Sequence, residues 1–162
     1  VAAAPVIEVG RPTPSDLPAV NVVVEAAVMG WALPERVKRL ALPTYRYDAA
    51  DLEHLVFALA RAAADGRVLG VAAWEAADPA SCPEGRNGLL LHGLYVVPES
   101  QRAGIGRALV RVVVEAAAAA GHAGILVRAQ RDAERFFADQ GFERLPAGAN
   151  DYAGRFWKAC TT

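Results

Sequence analysis

The chain is short of the residues that make the simplest sites. Among its 162 residues are two cysteines, Cys82 and Cys160, far apart and without metal-ligand spacing. That argues against a disulfide framework or a cysteine metal cluster and predicts two reduced thiols. Lysine is scarce, with only Lys38 and Lys158 against 15 arginines. We read this bias, together with the alanine excess, as genome base composition first. A net charge of −1 gives no reason to expect nucleic-acid binding. Long apolar runs are missing too. The longest helical one, residues 112–120, is too short for a bilayer and mostly alanine at its end. Residues 1–10 have neither the basic start nor the apolar stretch of a signal peptide, so a cytoplasmic protein with no membrane partner is expected. There are no internal repeats and no linker-like segment. What remains is 54% hydrophobic and 22% charged, the balance of a globular chain long enough for a core, and residues 1–162 are expected to form a single domain.

The most informative stretch is Gln101-Arg102-Ala103-Gly104-Ile105-Gly106. It lies between an apolar run ending at Pro98 and an alanine- and valine-rich segment ending at Gly121. Strand, glycine-bearing turn and helix in that order present bare backbone N–H groups to an anion, because the first amides of a helix have no internal partner and its dipole favours negative charge there. Gly104 and Gly106 allow close approach, and Arg102 and Arg107 add charge. A pyrophosphate-binding turn is the reading. It is not the dinucleotide fingerprint G-x-G-x-x-G, since position 109 is Leu, and no Walker string exists. A nucleotide-binding α/β protein is thereby disfavoured.

Periodicity supplies the surrounding elements. A first strand is predicted over 6–10, then a turn in which Ser15 or Asp16 caps the next helix. Apolar residues at 20, 23, 24, 27 and 28 predict a helix over 17–29 that ends at Gly30. A short helix over 34–40 and a loop over 43–51 follow. Residues 52–63 are ambiguous, but the hairpin signal Asp65-Gly66 favours a strand there and a return strand over 68–73. Residues 77–88 read as a loop and 89–97 as the central strand. A helix over 104–120 buries Ile105, Ala108, Leu109, Val112, Val113 and Ala116. A strand over 125–128, a helix over 131–140 closed by Gly141, and strands over 142–145 and 152–160 complete a mixed α/β domain.

The string from Leu89 to Gly121, LLLHGLYVVPESQRAGIGRALVRVVVEAAAAAG, resembles the acetyl-CoA-binding core of the GCN5-related N-acetyltransferases (GNAT). Val96-Val97-Pro98 and Arg102 to Gly106 match the family's Val-x-Pro turn and Q/R-x-x-G-x-G/A. Downstream, QRDAERFFADQGF from Gln130 to Phe142 resembles the family's N-x-x-A-x-x-x-Y-x-x-x-G-F, with Ala133, Gly141 and Phe142 on the pattern. Gln130 stands where Asn is usual, and Phe137 where a tyrosine is commonly proposed to protonate the departing thiolate. Leu91-His92-Gly93-Leu94 is locally similar to the matching strand of serotonin (arylalkylamine) N-acetyltransferase, where a histidine has been proposed to relay the amine proton.

The resemblance implies a GNAT-type α/β (α+β) domain: a central mixed, mostly antiparallel sheet of about six to seven strands with about four helices. It implies acetyl-CoA as cofactor and a small-molecule or peptide amine as acceptor. By position, the main chain of Leu94, Tyr95 and Val96 would pair with the pantetheine amides. Arg102, Ala103, Gly104, Ile105, Gly106 and Arg107 would hold the diphosphate, and Gln130 and Phe137 would line the thiol end. His92 is the base candidate, weighed against an ordinary core histidine. Glu75 is the runner-up base or amine anchor. Trp31, Tyr45 and Trp74, with Met29, Leu33 and Tyr47, are candidates for the acceptor pocket or for the core. Tyr152 is an alternative proton source, and His54 and His122 receive no role. Self-association through the last strands is an open option. An acyl-CoA-binding regulatory module with little turnover is the competing function, kept in view by Phe137.

Overall fold

A computed structural model describes residues 4–148 and 154–160. Seven strands form a mixed sheet in the order β1-β2-β3-β4-β5-β7-β6. They are β1 (Ile7–Gly10), β2 (Val56–Ala62), β3 (Val68–Ala76), β4 (Gly88–Val96), β5 (Gly124–Ala129), β6 (Glu143–Arg144) and β7 (Gly154–Ala159). The α-helices are α1 (Leu17–Met29), α2 (Glu35–Tyr45), α3 (Ala49–His54), α4 (Ile105–Ala119) and α5 (Glu134–Asp139). β4 and β5 pair in parallel. β1–β2, β5–β7 and β6–β7 are antiparallel. The bonds Val97 N–H to Leu69 O (2.9 Å) and Ala77 N–H to Gly88 O (2.8 Å) bracket an antiparallel β3–β4 pairing. The expected α/β class with a mostly antiparallel sheet is therefore observed. Two compact units divide the chain: one takes residues up to Ala73 together with Gly93–Leu109, the other Trp74–His92 and the chain from Val110 onward.

In the first unit α1 spans the expected residues and buries Val20, Val23, Val24, Ala27 and Val28. Full burial of a valine stabilises by about 1.5–3 kcal/mol. Gly30 ends the helix as expected, but its φ of −82° is not left-handed. Crowding selects glycine instead, since a Cβ there would lie 3.3 Å from Pro98 Cγ. Neither Ser15 nor Asp16 caps α1. A 3-10 turn over Pro14–Asp16 runs straight into it, and no side-chain cap bond forms. The Asp16 carboxylate turns back to accept the Thr13 N–H (2.7 Å) and to pair with Arg61 (2.8 Å). The Thr13 bond first, and Arg61 second, hold its pKa below the ordinary value.

The segment expected as a loop over 43–51 is mostly helical. α2 continues through Pro43 to Tyr45, because a proline near a helix end forfeits only one backbone bond. α3 then starts at a reciprocal cap. Asp48 Oδ1 accepts the Asp51 N–H (2.9 Å), and Asp51 Oδ2 accepts the Asp48 N–H (2.8 Å). β2 accordingly starts at Val56 rather than residue 52. The β2–β3 hairpin forms as expected, with Gly66 at φ +74° and its N–H bonded to Ala62 O (2.8 Å).

Val68 to Ala73 are buried throughout, as in a strand covered on both faces. One cover is the first turn of α4. Ile105 and Leu109 are 1% and 0% exposed. A Cβ on Gly70 would lie 2.8 Å from Ile105 Cγ2 and 3.0 Å from Leu109 Cδ1. The helix start rests on bare backbone.

The second unit is organised around Trp157 of β7. Its indole lies over Gly88 and Gly124, which are register partners in the β4–β5 ladder. A Cβ on Gly88 would be 2.8 Å from Trp157 Cζ3, and one on Gly124 would overlap the ring. Ala77, Cys82 and Leu126 complete the cluster, and the Arg86 guanidinium sits 5.4 Å from the ring centroid. Residues 110–119 of α4 end at Gly121 (φ +75°), where the His122 N–H reaches back to Ala117 O (2.9 Å). Along α4 the buried positions are Ile105, Leu109, Val110, Val113 and Ala117. Ala108, Val112 and Ala116, expected on the inner face, are only half-buried, so the buried face is rotated toward Val110 and Ala117. A 3-10 turn over Arg131–Ala133 precedes α5, and Gly141 (φ +87°) closes it. Cys82 and Cys160 are both free. No helix among the described residues is long and apolar enough to cross a membrane. Tyr152, named for the last strand, lies outside the described residues.

Gly70→Ala should displace Ile105 and Leu109 and destabilise the protein by roughly 1–3 kcal/mol, the range for overpacking a filled core. Urea unfolding of the two proteins at pH 7 measures it.

Candidate active site

The turn before α4 has the backbone geometry of an anion cradle. Arg102 adopts φ +63°, rare for a residue with a Cβ, and Gly104 adopts φ +85°. Ala103 between them stays on the negative-φ side. Such alternation turns successive N–H groups toward one side, forming a concavity for negative charge. The first amide with a backbone acceptor is Ala108, bonded to Gly104 O at 3.0 Å. Those of Arg102 to Arg107 have none among the described residues. A Cβ on Gly104 would meet nothing within 4 Å, so the approach is open. Arg102 and Arg107 are exposed, and neither joins an ion pair among the described residues. Gln101 Nε2 donates to Val96 O (3.3 Å) and ties the turn back to the end of β4.

Upstream, the β4–β5 ladder covers Gly88 to Leu91 and stops there, although β4 runs on to Val96. Leu94 and Val96 are half-buried, and Tyr95 is buried between them. His92 is exposed, so the reading of an ordinary core histidine falls.

The aromatic candidates of the first unit form a chain of ring contacts. Trp31 and Tyr45 are half-buried and meet edge to face at 5.0 Å. Tyr47 is buried, packed edge-on against Phe57 (5.0 Å) and Tyr95 (6.3 Å). It belongs to the core rather than to an exposed pocket wall. Its backbone is held from α1, where Asn21 Nδ2 donates to Tyr47 O (2.8 Å) and Asn21 Oδ1 accepts the Tyr47 N–H (2.9 Å). Burial, then the Tyr95 phenol, pushes the Tyr47 pKa far up. Burial, then the nearby Tyr45, pushes Tyr95 up to about 12. Met29 is half-buried and Leu33 exposed. Sequence reasoning placed these rings near one another but missed Asn21, an unremarkable amide in an apolar helix.

In the second unit Gln130 is exposed at the end of β5, and its carbonyl accepts the Ala133 N–H (2.9 Å). Phe137 is 4% exposed, edge-on to Phe136 (5.1 Å) and Phe142 (5.2 Å). Trp74 is buried and Glu75, next to it on β3, is exposed. His122, given no role, has a buried Nδ1 without a partner among the described residues. His54 is exposed at the end of α3.

A family model described as an acetyltransferase (GNAT) domain matches residues 42–153. No curated protein matches the chain. Many solved structures share its fold. PaiA N-acetyltransferase from Thermoplasma acidophilum, solved with coenzyme A, has a TM-score of 0.74 at 16% identity, with 95% of this chain and 99% of that chain covered. A putative GNAT-family acetyltransferase from Desulfovibrio desulfuricans has a TM-score of 0.71 at 20% identity, covering 96% and 100%. A GNAT-family acetyltransferase from Brucella melitensis, solved with acetyl-CoA, has a TM-score of 0.64 at 21% identity, covering 97% and 90%.

The tyrosine pair has a signature at high pH. Both phenols hold their protons more tightly folded than unfolded, where the value is about 10. The stability they support is complete below that value and is lost as pH rises through the folded values. Wild type should therefore lose stability above about pH 10, and Tyr47→Phe should lose less of it, as read by denaturant unfolding across that range.

Proposed function

The chain belongs to the GNAT acetyltransferases, and on that premise we propose that it moves an acetyl group from acetyl-CoA to a primary amine by direct attack in a ternary complex, with residues 1–162 working as one domain. The observation that carries this reading is the run of amides from Arg102 to Arg107 without a backbone acceptor among the described residues, with an exposed arginine at each end and neither in an ion pair among the described residues. These groups suit a diphosphate: several N–H donors, a helix N-terminus and two guanidinium charges. The main chain of Leu94, Tyr95 and Val96 suits the amide arm, since β4 continues past the end of its ladder with β5.

When bound, acetyl-CoA supplies the acetyl group as an activated thioester. The chain's own residues do the rest. N–H groups of β4 near Leu94 donate to the carbonyl oxygen as negative charge grows on it. An alkylamine of pKa ~10.4 is neutral in only about one molecule in 2,500 at pH 7. His92, exposed on β4, accepts the ammonium proton at an imidazole nitrogen, directly or through water, and frees the attacking lone pair. Phe137 has no hydroxyl and donates no proton. A thiol of pKa about 8.5 leaves adequately as thiolate. The half-buried Trp31 and Tyr45 rings offer the acceptor an apolar wall, and Glu75 is the alternative amine anchor. The competing reading, an acyl-CoA-binding module with little turnover, draws on Phe137.

Calorimetry should show acetyl-CoA binding and no binding of NAD or ATP. Thiol release with a panel of amines separates enzyme from module: binding without release favours the module. Arg102→Ala and Arg107→Ala should each weaken acetyl-CoA binding by roughly 3- to 30-fold, the worth of about one charge-assisted hydrogen bond. His92→Gln should lower turnover more at neutral than at alkaline pH, because at pH 7 nearly all of an alkylamine is protonated, and leave cofactor affinity nearly intact. An unchanged pH–rate profile removes His92 from the mechanism.

A further inference from the structure

Tyr47 occupies a place that neither the turn nor the base accounts for. A Cβ on Gly93 would overlap the Tyr47 hydroxyl and lie 2.6 Å from Tyr95 Cε2. Gly93 is the residue between His92 and Leu94, where β4 has left its ladder with β5. Tyr47 therefore presses its hydroxyl onto the bare backbone of β4 at that point. The position is fixed from behind. Asn21 holds the Tyr47 main chain by two bonds of 2.8 and 2.9 Å. The Asp48–Asp51 cap starts α3 at the next residue. Phe57 backs the ring at 5.0 Å, and the ring of Tyr95, two residues beyond Gly93 on the same strand, meets it edge-on at 6.3 Å.

We propose that Tyr47 is a positioning residue that clamps β4 at Gly93 and so fixes the main chain of Leu94, Tyr95 and Val96 toward the thioester. This rests on the acetyl-transfer reading for its purpose, but the clamp itself rests on the packing alone. The phenol does not supply the proton missing at Phe137. Giving its proton to a thiolate of ordinary basicity, about 8.5, is strongly uphill for a buried phenol. It acts by contact, and its effect is independent of pH through the working range.

The test uses the full chain and three variants: Tyr47→Phe, which keeps the ring, Tyr95→Phe, which removes the neighbouring hydroxyl, and Gly93→Ala, which forces the Tyr47 hydroxyl away. Amide hydrogen exchange is measured alongside acetyl-CoA affinity and amine-dependent thiol release from pH 6 to 9. Exchange at residues 93–96 should rise about tenfold in Tyr47→Phe and Tyr95→Phe, with exchange in α1 unchanged. Turnover should fall about tenfold by the same factor at every pH, while acetyl-CoA affinity stays within about twofold. Gly93→Ala should give the same pattern, and less than additively in combination with Tyr47→Phe, because the overlapping oxygen is then gone. Unchanged exchange at 93–96 in both phenylalanine variants overturns the clamp. A turnover loss that varies with pH assigns Tyr47 a proton and overturns it equally. A wild-type protein that binds no acetyl-CoA takes down the functional reading, and the exchange result still decides the clamp.

Discussion

The missing side chain at Gly70 governs the placing of the turn before α4. Because β3 offers bare backbone there, Ile105 and Leu109 descend onto the strand and bury completely. Their side chains fix both the height and the rotation of the first turn of α4. The Arg102–Gly104 segment must then bridge a set distance from the end of β4 to a set helix start. It does so with two left-handed residues, one of them an arginine. An isolated residue in that conformation costs on the order of 1–3 kcal/mol and persists where its surroundings over-determine it. Here the surroundings are the buried pair on one side and the Gln101–Val96 bond on the other. The open amides are thus a by-product of apolar packing, as preorganised donors should be.

A second glycine works in a different currency. At Gly93 the space is taken by a polar atom, the Tyr47 oxygen. The first unit therefore treats its two bare positions in opposite ways. One receives two aliphatic side chains and anchors a helix. The other receives a hydroxyl on a ring packed against a second tyrosine, behind which Asn21 supplies both halves of an amide pair. Apolar contact sets depth without fixing direction, whereas a hydrogen bond is directional. In the second unit Gly88 and Gly124 make a third bare surface, flat enough for the Trp157 indole.

Much of this was legible in the sequence because it is local. α1 begins and ends where the spacing of Val20, Val23, Val24, Ala27 and Val28 places it. The hairpin at Asp65-Gly66, the turn at 101–106 and the stop at Gly141 each rest on a few adjacent residues whose backbone preferences agree. Misreadings arose where two local signals conflicted. Pro43 argued for a loop, but the Asp48–Asp51 cap, equally local and overlooked, restarts a helix just beyond it. The inner face of α4 drifted because alanine and valine fill nine of its fifteen positions and leave the period faint. The exposure of His92 and the meeting of Tyr47 with Gly93 were not legible at all. The two residues of that contact lie 46 positions apart, and their encounter is a property of the assembled unit.

The two lysines share one structural habit. Lys38 Nζ, on a buried side chain, donates to Met29 O at 2.7 Å, the last residue of α1. Lys158 Nζ donates to Gln140 O at 2.9 Å, just past α5. Each ammonium sits where a helix exposes its negative end, and a compact point charge fits there better than a planar guanidinium. In a chain otherwise charged by arginine, both side-chain ammoniums are tied to a carbonyl at a helix end. Each lysine thereby fastens a helix end to a neighbouring element of its own unit, Lys38 joining α2 to α1 and Lys158 joining β7 to α5.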